Sequence, residues 1–342
     1  MTVSTHFRQQ ADHCRTLGSP FTARLLDLAA ERIAAGAAWA APLQNWAGDP
    51  RADALALRLA GALHRAMLDG DAELAECYAA RQIDAVRLDA ALLRHGALLA
   101  RYLQSAPQTN DPQRSAILLG GFLEIAKQTG PLPLDICEIG ASAGLNQSWF
   151  RYAYDFGDWQ WGDAARAPLT LRAEWRGPRP PDGAPHVRQS TACDLAPIDA
   201  RNPEDRQRLL SYIWADQPER QERVRRALDF AARERIGALR STAGDFLAQA
   251  LQKRQAGAVF VLCHSIVWQY IDPTEQQRIT GLMQAAGNAA TPDTPLAWLR
   301  FESGTATDGG ELTLTLWPGG TTQQLAVADY HGRWVRWATR SG

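Results

Sequence analysis

The sequence predicts an α/β protein: a mostly parallel sheet with helices on both faces and a C-terminal β-hairpin, preceded by an all-helical N-terminal domain. Three observations carry this. Apolar residues recur at helical spacing up to about residue 128. Short apolar strands then alternate with helices, as a parallel sheet requires. Strand-like segments close the chain with no helix between them, so the last can run antiparallel without a crossover.

In the N-terminal part the helical periods are Phe21, Leu25, Ala29 and Ile33, then Leu55, Leu59, Leu63 and Met67, then Leu88, Leu92, Leu99 and Leu103. Breakers separate them at Gly18-Ser-Pro20, Gly48-Asp-Pro50, Gly70-Asp71 and Pro107 to Pro112. Residues 1–128 therefore read as a helical cap domain and 129–342 as the α/β domain. The pattern changes at Gly130-Pro-Leu-Pro133. Leu134 to Ile139 is the first strand, followed by a Gly/Ser/Ala turn. The next expected element is a helix presenting Leu145, Trp149, Tyr152 and Phe156 on one face. Residues 157–185, rich in Trp, Gly and Pro, read as an insertion with one strand, Leu169 to Trp175. Further strands are expected at His186 to Ala192, Ile236 to Thr242 and Ala258 to Cys263, with helices over 203–235, 246–254 and 273–286. Leu296 to Glu302, Glu311 to Trp317 and Gln324 to Trp337, turning at His331-Gly332, complete the sheet.

Bulk properties narrow the function classes. With 36 basic and 37 acidic residues the net charge is −1, so no global field draws the chain to nucleic acid or anionic membrane. The most apolar run, Ala258 to Trp268, is interrupted by His264 and too short to span a bilayer. No signal pattern opens the chain, and five widely spaced cysteines without a Cys-x-x-Cys pair suit a reducing cytoplasm. The seven histidines do not cluster, and no metal site is expected. Oligomeric state is not legible.

The turn Glu138-x-Gly140-x-Ser142-x-Gly144 lies between a strand and an expected helix. Small residues there admit a ligand close to the backbone, and amides at a helix start can receive an anion. Dinucleotide binding wants G-x-G-x-x-G, which Ser142 and Gly144 fail to supply. The nucleophile elbow G-x-S-x-G is matched literally, which would make Ser142 the nucleophile of a serine hydrolase with Asp308 and His331 as partners. The helical region upstream lacks the strands and oxyanion loop that such a fold needs.

Leu134-Asp-Ile-Cys-Glu-Ile-Gly-Ala-Ser-Ala-Gly-Leu-Asn146 resembles the first motif of class I S-adenosylmethionine-dependent methyltransferases, with Ser142 in place of the usual second glycine. That resemblance covers about residues 130–337 and implies a Rossmann-like seven-stranded sheet. Gln108-Thr-Asn-Asp111, Gly140 to Asn146, Arg151-Tyr-Ala-Tyr154, Cys193-Asp-Leu-Ala-Pro-Ile-Asp199 and Trp268-Gln-Tyr270 together resemble a bacterial family known only as a domain of unknown function.

The methyltransferase resemblance implies S-adenosylmethionine as cofactor, no metal, and a small-molecule acceptor. It places Glu138, Gly140, Ala141, Ser142, Gly144 and Asn146 around the cofactor loop, Asp194 on the ribose, and Asp245 with Phe246 at the adenine. Asp199 is the second ribose candidate. The plain alternative for Asp194 and Asp245 is helix capping or turn formation. At the end of the fourth strand, His264 is a candidate general base, Tyr270 stands with it as a catalytic candidate, and Trp268 can wall the substrate. Asn110 and Tyr154 are the remaining substrate candidates. A noncatalytic relative of the fold, serving as a binding or scaffold protein, is the chief rival.

Overall fold

The structure is a computed structural model that describes residues 1–338. The chain divides into two compact units, Met1–Thr109 with Arg201–Arg225, and Asn110–Ala200 with Arg226–Gly342.

The first unit is helical, as its periodicity requires. It contains α1 (Val3–Thr16), α2 (Pro20–Ala34), α3 (Ala41–Gln44), α4 (Leu55–Leu68), α5 (Ala72–Ala80), α6 (Ala85–Arg94) and α7 (Gly96–Leu103). The run from Leu88 to Leu103 is two helices, because Gly96 follows a residue outside helical geometry, His95. After α8 (Ser115–Thr129) in the second unit, α9 (Pro203–Ser211) returns to the first, and α10 (Pro218–Glu234) follows. Phe7, Leu25, Leu26, Leu55, Leu59 and Leu63 are fully or almost fully buried in this unit's core. Asp216 ties the chain return to the start of α2, accepting from the Ser19 hydroxyl and the Phe21 amide.

The sequence boundary at 128/129 and the compact division at 109/110 differ for a packing reason. α8 lies against the sheet, touching three of its strands. Its Gly121 is what allows the close approach, since a side chain there would collide with Leu299.

In chain order the strands are β1 (Leu134–Ile139), β2 (Ala153–Asp155), β3 (Gln160–Trp161), β4 (Thr170–Arg172), β5 (Glu174–Arg176), β6 (Val187–Asp194), β7 (Leu239–Arg240), β8 (Val259–Ser265), β9 (Leu296–Ser303), β10 (Gly310–Trp317), β11 (Thr321–Ala328) and β12 (Trp334–Trp337). Nine of them form one sheet in the order β5-β12-β11-β10-β9-β8-β1-β6-β7. The five strands β7-β6-β1-β8-β9 run parallel. From β9 onward β10, β11 and β12 form an antiparallel meander, and β5 adds itself parallel to β12. α11 (Ala243–Gln252) and α12 (Pro273–Asn288) pack on one face over a core that includes Cys137, Ile139, Leu262 and Phe260.

Two sequence expectations are corrected here. The sheet has nine strands rather than seven. The insertion donates β5 to the main sheet, and β2, β3 and β4 form a small sheet of their own. The expected turn within Gln324 to Trp337 separates β11 from β12, where the Asp329 carboxylate accepts from the His331 and Arg333 amides. The terminal hairpin is accordingly a longer meander. Among the described residues, no helix is long and apolar enough to cross a membrane.

Gly121→Ala is expected to lower stability by about 1–3 kcal/mol, although alanine favours helix by about 1 kcal/mol, because the Leu299 side chain must yield. A denaturant titration measures it. An unchanged or higher midpoint would contradict this packing.

Candidate functional site

Parallel strands β6, β1 and β8 bring their carboxyl ends to one edge, at Asp194, Ile139 and Ser265. The chain leaves β1 toward β6 on one side, and β8 lies on the other. Such a reversal of strand order opens a crevice at the carboxyl edge in α/β sheets. The glycine turn sits there.

No α-helix follows the turn. Leu145–Arg151 is a short 3-10 helix, and Ala153 to Asp155 already belongs to a strand. The expected helical face fails because Tyr152 and Tyr154 fold inward. The Tyr152 hydroxyl donates to the Leu145 carbonyl and the Tyr154 hydroxyl to the Trp149 carbonyl, each at 2.7 Å. Tyr154 is thus a core residue stacked near Phe156, not a cavity wall.

The turn's amides are largely committed within the protein. Ala141 N donates to the Cys193 carbonyl at 3.0 Å, Gly144 N to the Ala141 carbonyl at 2.8 Å, and Leu145 N to Asn110 Oδ1 at 2.8 Å. Asn110 is therefore a clamp on the turn, with its side-chain oxygen directed at the backbone. Ser142 N donates to Asp194 Oδ2 at 2.8 Å, and Asp194 Oδ1 accepts from Ala196 N at 2.9 Å. Asp194 and the turn therefore share one rim, joined by a charge-assisted bond. The glycines also have packing reasons: a Cβ on Gly140 would strike Val267, and one on Gly144 would strike Gln147. Gln147 is itself held by the Gly237 carbonyl at 2.9 Å.

Among the described residues, two polar atoms between Gly140 and Asn146 have no partner. Ser142 Oγ and Asn146 Nδ2 are buried and unbonded, although Asn146 Oδ1 accepts from Ser115 Oγ at 2.9 Å. Ser142 also adopts φ +53°, a left-handed conformation unfavourable to a side chain. On the facing loop after β8, Ile266 adopts φ +53° too, where a β-branched residue is a strong outlier. Strain of this kind collects at functional sites and survives only where surroundings enforce it. Glu302 is one enforcer: its carboxylate accepts from Val267 N at 3.1 and 3.2 Å.

Glu138 ends β1 beneath the turn and is 4 % exposed. Burial, reinforced by the negative Asp194 and opposed by Arg114, pushes its carboxyl up to about 8. Burial and Asp194 both favour the neutral form of this carboxyl over the anion.

His264 has no ring nitrogen to spare. Trp298 Nε1, which can only donate, is 3.1 Å from Nε2, so the proton resides on Nδ1 and is donated to Glu302 Oε1 at 2.6 Å. Trp268 stacks on the ring with centroids 5.2 Å apart. The general-base role expected of His264 would require one of these two bonds to break. Tyr270 is 58 % exposed and stands away from that cluster's hydrogen bonds.

Asp245 pairs with Arg278 at 2.6 Å on the surface, and the N-cap of α11 is Thr242. Phe246 packs in the core between sheet and helices. For the hydrolase reading, Asp308 is held by Arg336 at 2.8 and 3.0 Å, and Ser142 Oγ has no base. Sequence reasoning missed Ile266, Val267, Trp298 and Glu302. The alternation Trp298, Arg300, Glu302, polar groups at period two on an apolar strand, was the available signal.

Ser142→Gly is expected to raise stability by about 1 kcal/mol, by removing both a strained side chain and an unbonded buried hydroxyl. A lower melting temperature would mean that the hydroxyl has a partner. Glu138 supplies a pH test. A carboxyl whose folded value lies above its ordinary 4.5 stabilises fully below that value and progressively less as pH rises through about 8. Glu138→Gln should match the parent near pH 4 and exceed it increasingly toward pH 8, read as the difference in melting temperature across pH.

Neither a curated protein nor a solved structure matches the chain. One bacterial family profile does, over residues 4–337. Its match spans the helical unit, the glycine turn, Asp194 and the β8 loop alike. The chain belongs to that family, described as an uncharacterized protein conserved in bacteria (DUF2332).

Proposed function

We propose that the second unit binds S-adenosylmethionine at the carboxyl edge of β1, β6 and β8 and transfers its methyl group to a small organic acceptor. The observation that supports this most is the Ser142 N to Asp194 Oδ2 bond, which puts a carboxylate at the rim of a glycine turn where strand order reverses. The parallel half of the sheet, β7-β6-β1-β8-β9, has the order 3-2-1-4-5 counted along those strands, as in Rossmann-like folds. That is the finer fold reading on which the function rests.

The polar atoms present suit such a ligand. Ser142 Oγ and Asn146 Nδ2 are the unbonded groups of the turn, able to meet a carboxylate or hydroxyl. In its neutral form Glu138 can donate or accept without placing a second negative charge beside Asp194. Asp194 would hold the sugar hydroxyls. Bound cofactor supplies an electrophilic methyl on a sulfonium. The chain's own contribution is positioning and exclusion of water, since His264 is committed to Glu302 and Trp298.

A second reading, ligand binding without catalysis, is favoured by the side chains that cover Gly140 and Gly144. Calorimetry with S-adenosylmethionine, followed by a scan of small acceptors for product, separates the two. The expected result is micromolar binding weakened at least tenfold by Asp194→Ala, with Asp194→Asn intermediate because one oxygen acceptor persists. Binding without turnover on any acceptor favours the second reading. No binding to clean apo protein sinks both.

A further inference from the structure

The polar groups that alternate along β9 include one charge without an answering charge. Arg300 stands between Trp298 and Glu302 on one face of the strand, opposite His264 on β8 and Thr313 on β10. Its guanidinium lies over the Trp298 indole, 4.5 Å from the ring centroid. The residue is partly buried, and its Nε is sealed from solvent with no hydrogen-bond partner. Nη2 makes one long bond, 3.4 Å to the Thr315 hydroxyl, which is already shared with Thr322 at 2.7 Å. Among the described residues, no carboxylate lies within ion-pair distance of Arg300 and Nη1 makes no bond.

The acids that share this face are committed elsewhere. Glu302, two residues along, accepts from His264 and the Val267 amide. Glu311, opposite Glu302, accepts from Thr305 and from the Ala306 amide. A guanidinium that has lost part of its hydration without gaining a counter-ion is held at a cost. Burial lowers its proton affinity and Glu302 offsets part of that, yet an arginine stays charged. The Trp298 ring supplies a cation–π contact beneath the plane but accepts none of the hydrogen bonds along its edge. α12 does not close the face here: its Ile279 and Met283 join the cluster of Leu296, Trp298 and Trp317. Beyond that cluster Arg300 shares the surface with partly exposed Thr313 and exposed Thr322.

We infer that Arg300 anchors an oxyanion-binding site on this face of β9 and β10, for the carboxylate or phosphate group of a small ligand. Nη1 and Nη2 form the outward edge of the guanidinium, so two oxygens of one group accept from them side by side. The ligand takes over from the long Thr315 bond and supplies the charge that the protein leaves out. Trp298 fixes the plane of the fork, and the Thr313 hydroxyl, on the facing strand, is a further donor within the same face. The site is separate from the methyl-donor pocket, since β8 lies between β9 and β1.

Calorimetric titration of the full chain with acetate, benzoate and inorganic phosphate, against sodium chloride at matched ionic strength, tests this without any methyl donor. Saturable binding in the millimolar range or tighter is expected for at least one probe, and the preference between carboxylates and phosphate names the group. Arg300→Gln should weaken it at least tenfold, with melting temperature as the check on folding. Arg300→Lys, which keeps the charge and loses the planar fork, should fall between the two. Binding no stronger than the chloride control for all three probes overturns the proposal. Binding unchanged in both variants also overturns it, because another cation would then hold the anion.

Discussion

The bond from Ser142 N to Asp194 Oδ2 organises the carboxyl edge of the sheet. A turn that is buried, as Ala141 to Trp149 are, must account for each backbone amide away from water. Asp194 and Asn110 accept two of them, the Cys193 and Ala141 carbonyls two more. With the turn pinned on both flanks, Ser142 is held in a left-handed conformation that it would not choose, and its hydroxyl is left unbonded. Strain and an unmet hydroxyl are thus consequences of one network.

Across the crevice the β8 loop repeats the pattern with different chemistry. Glu302 accepts from both His264 and Val267, and this fixes Ile266 in its own left-handed conformation. Val267 then packs against Gly140, so the two strained loops meet through a side chain laid on a glycine. His264, with Trp298 and Trp268 around it, belongs to the scaffold of that loop. A group that looks reactive in one dimension is here a hydrogen-bonded strut. The bias of Glu138 toward its neutral form fits the same economy of charge, since a second anion next to Asp194 in a buried place would be costly.

Element type was legible wherever a periodic apolar pattern ran long enough. α2, α4, α6 and α7 of the first unit, β1, β6, β8, β9 and the glycine turn follow from spacing and breakers. Legibility failed where local signals were overruled. Leu145 to Phe156 has a helical face on paper, yet Tyr152 and Tyr154 turn inward to main-chain carbonyls, and the helix is cut to one 3-10 segment. The Ile236 to Thr242 strand shrinks to two residues because only Leu239 and Arg240 reach β6.

Sequence by itself determined the α/β class, the helical N-terminal region, the position of the turn after β1 and the presence of an acid at the end of β6. Those properties are local, set by periodicity and by residues that only certain backbone conformations admit. Tertiary structure decided the rest: which amides the turn gives up, that His264 is occupied on both nitrogens, that Phe246 is core, that the insertion feeds the main sheet. Each depends on groups far apart in the chain, such as Glu302 and Val267 or Asn110 and Leu145, whose meeting no local pattern encodes.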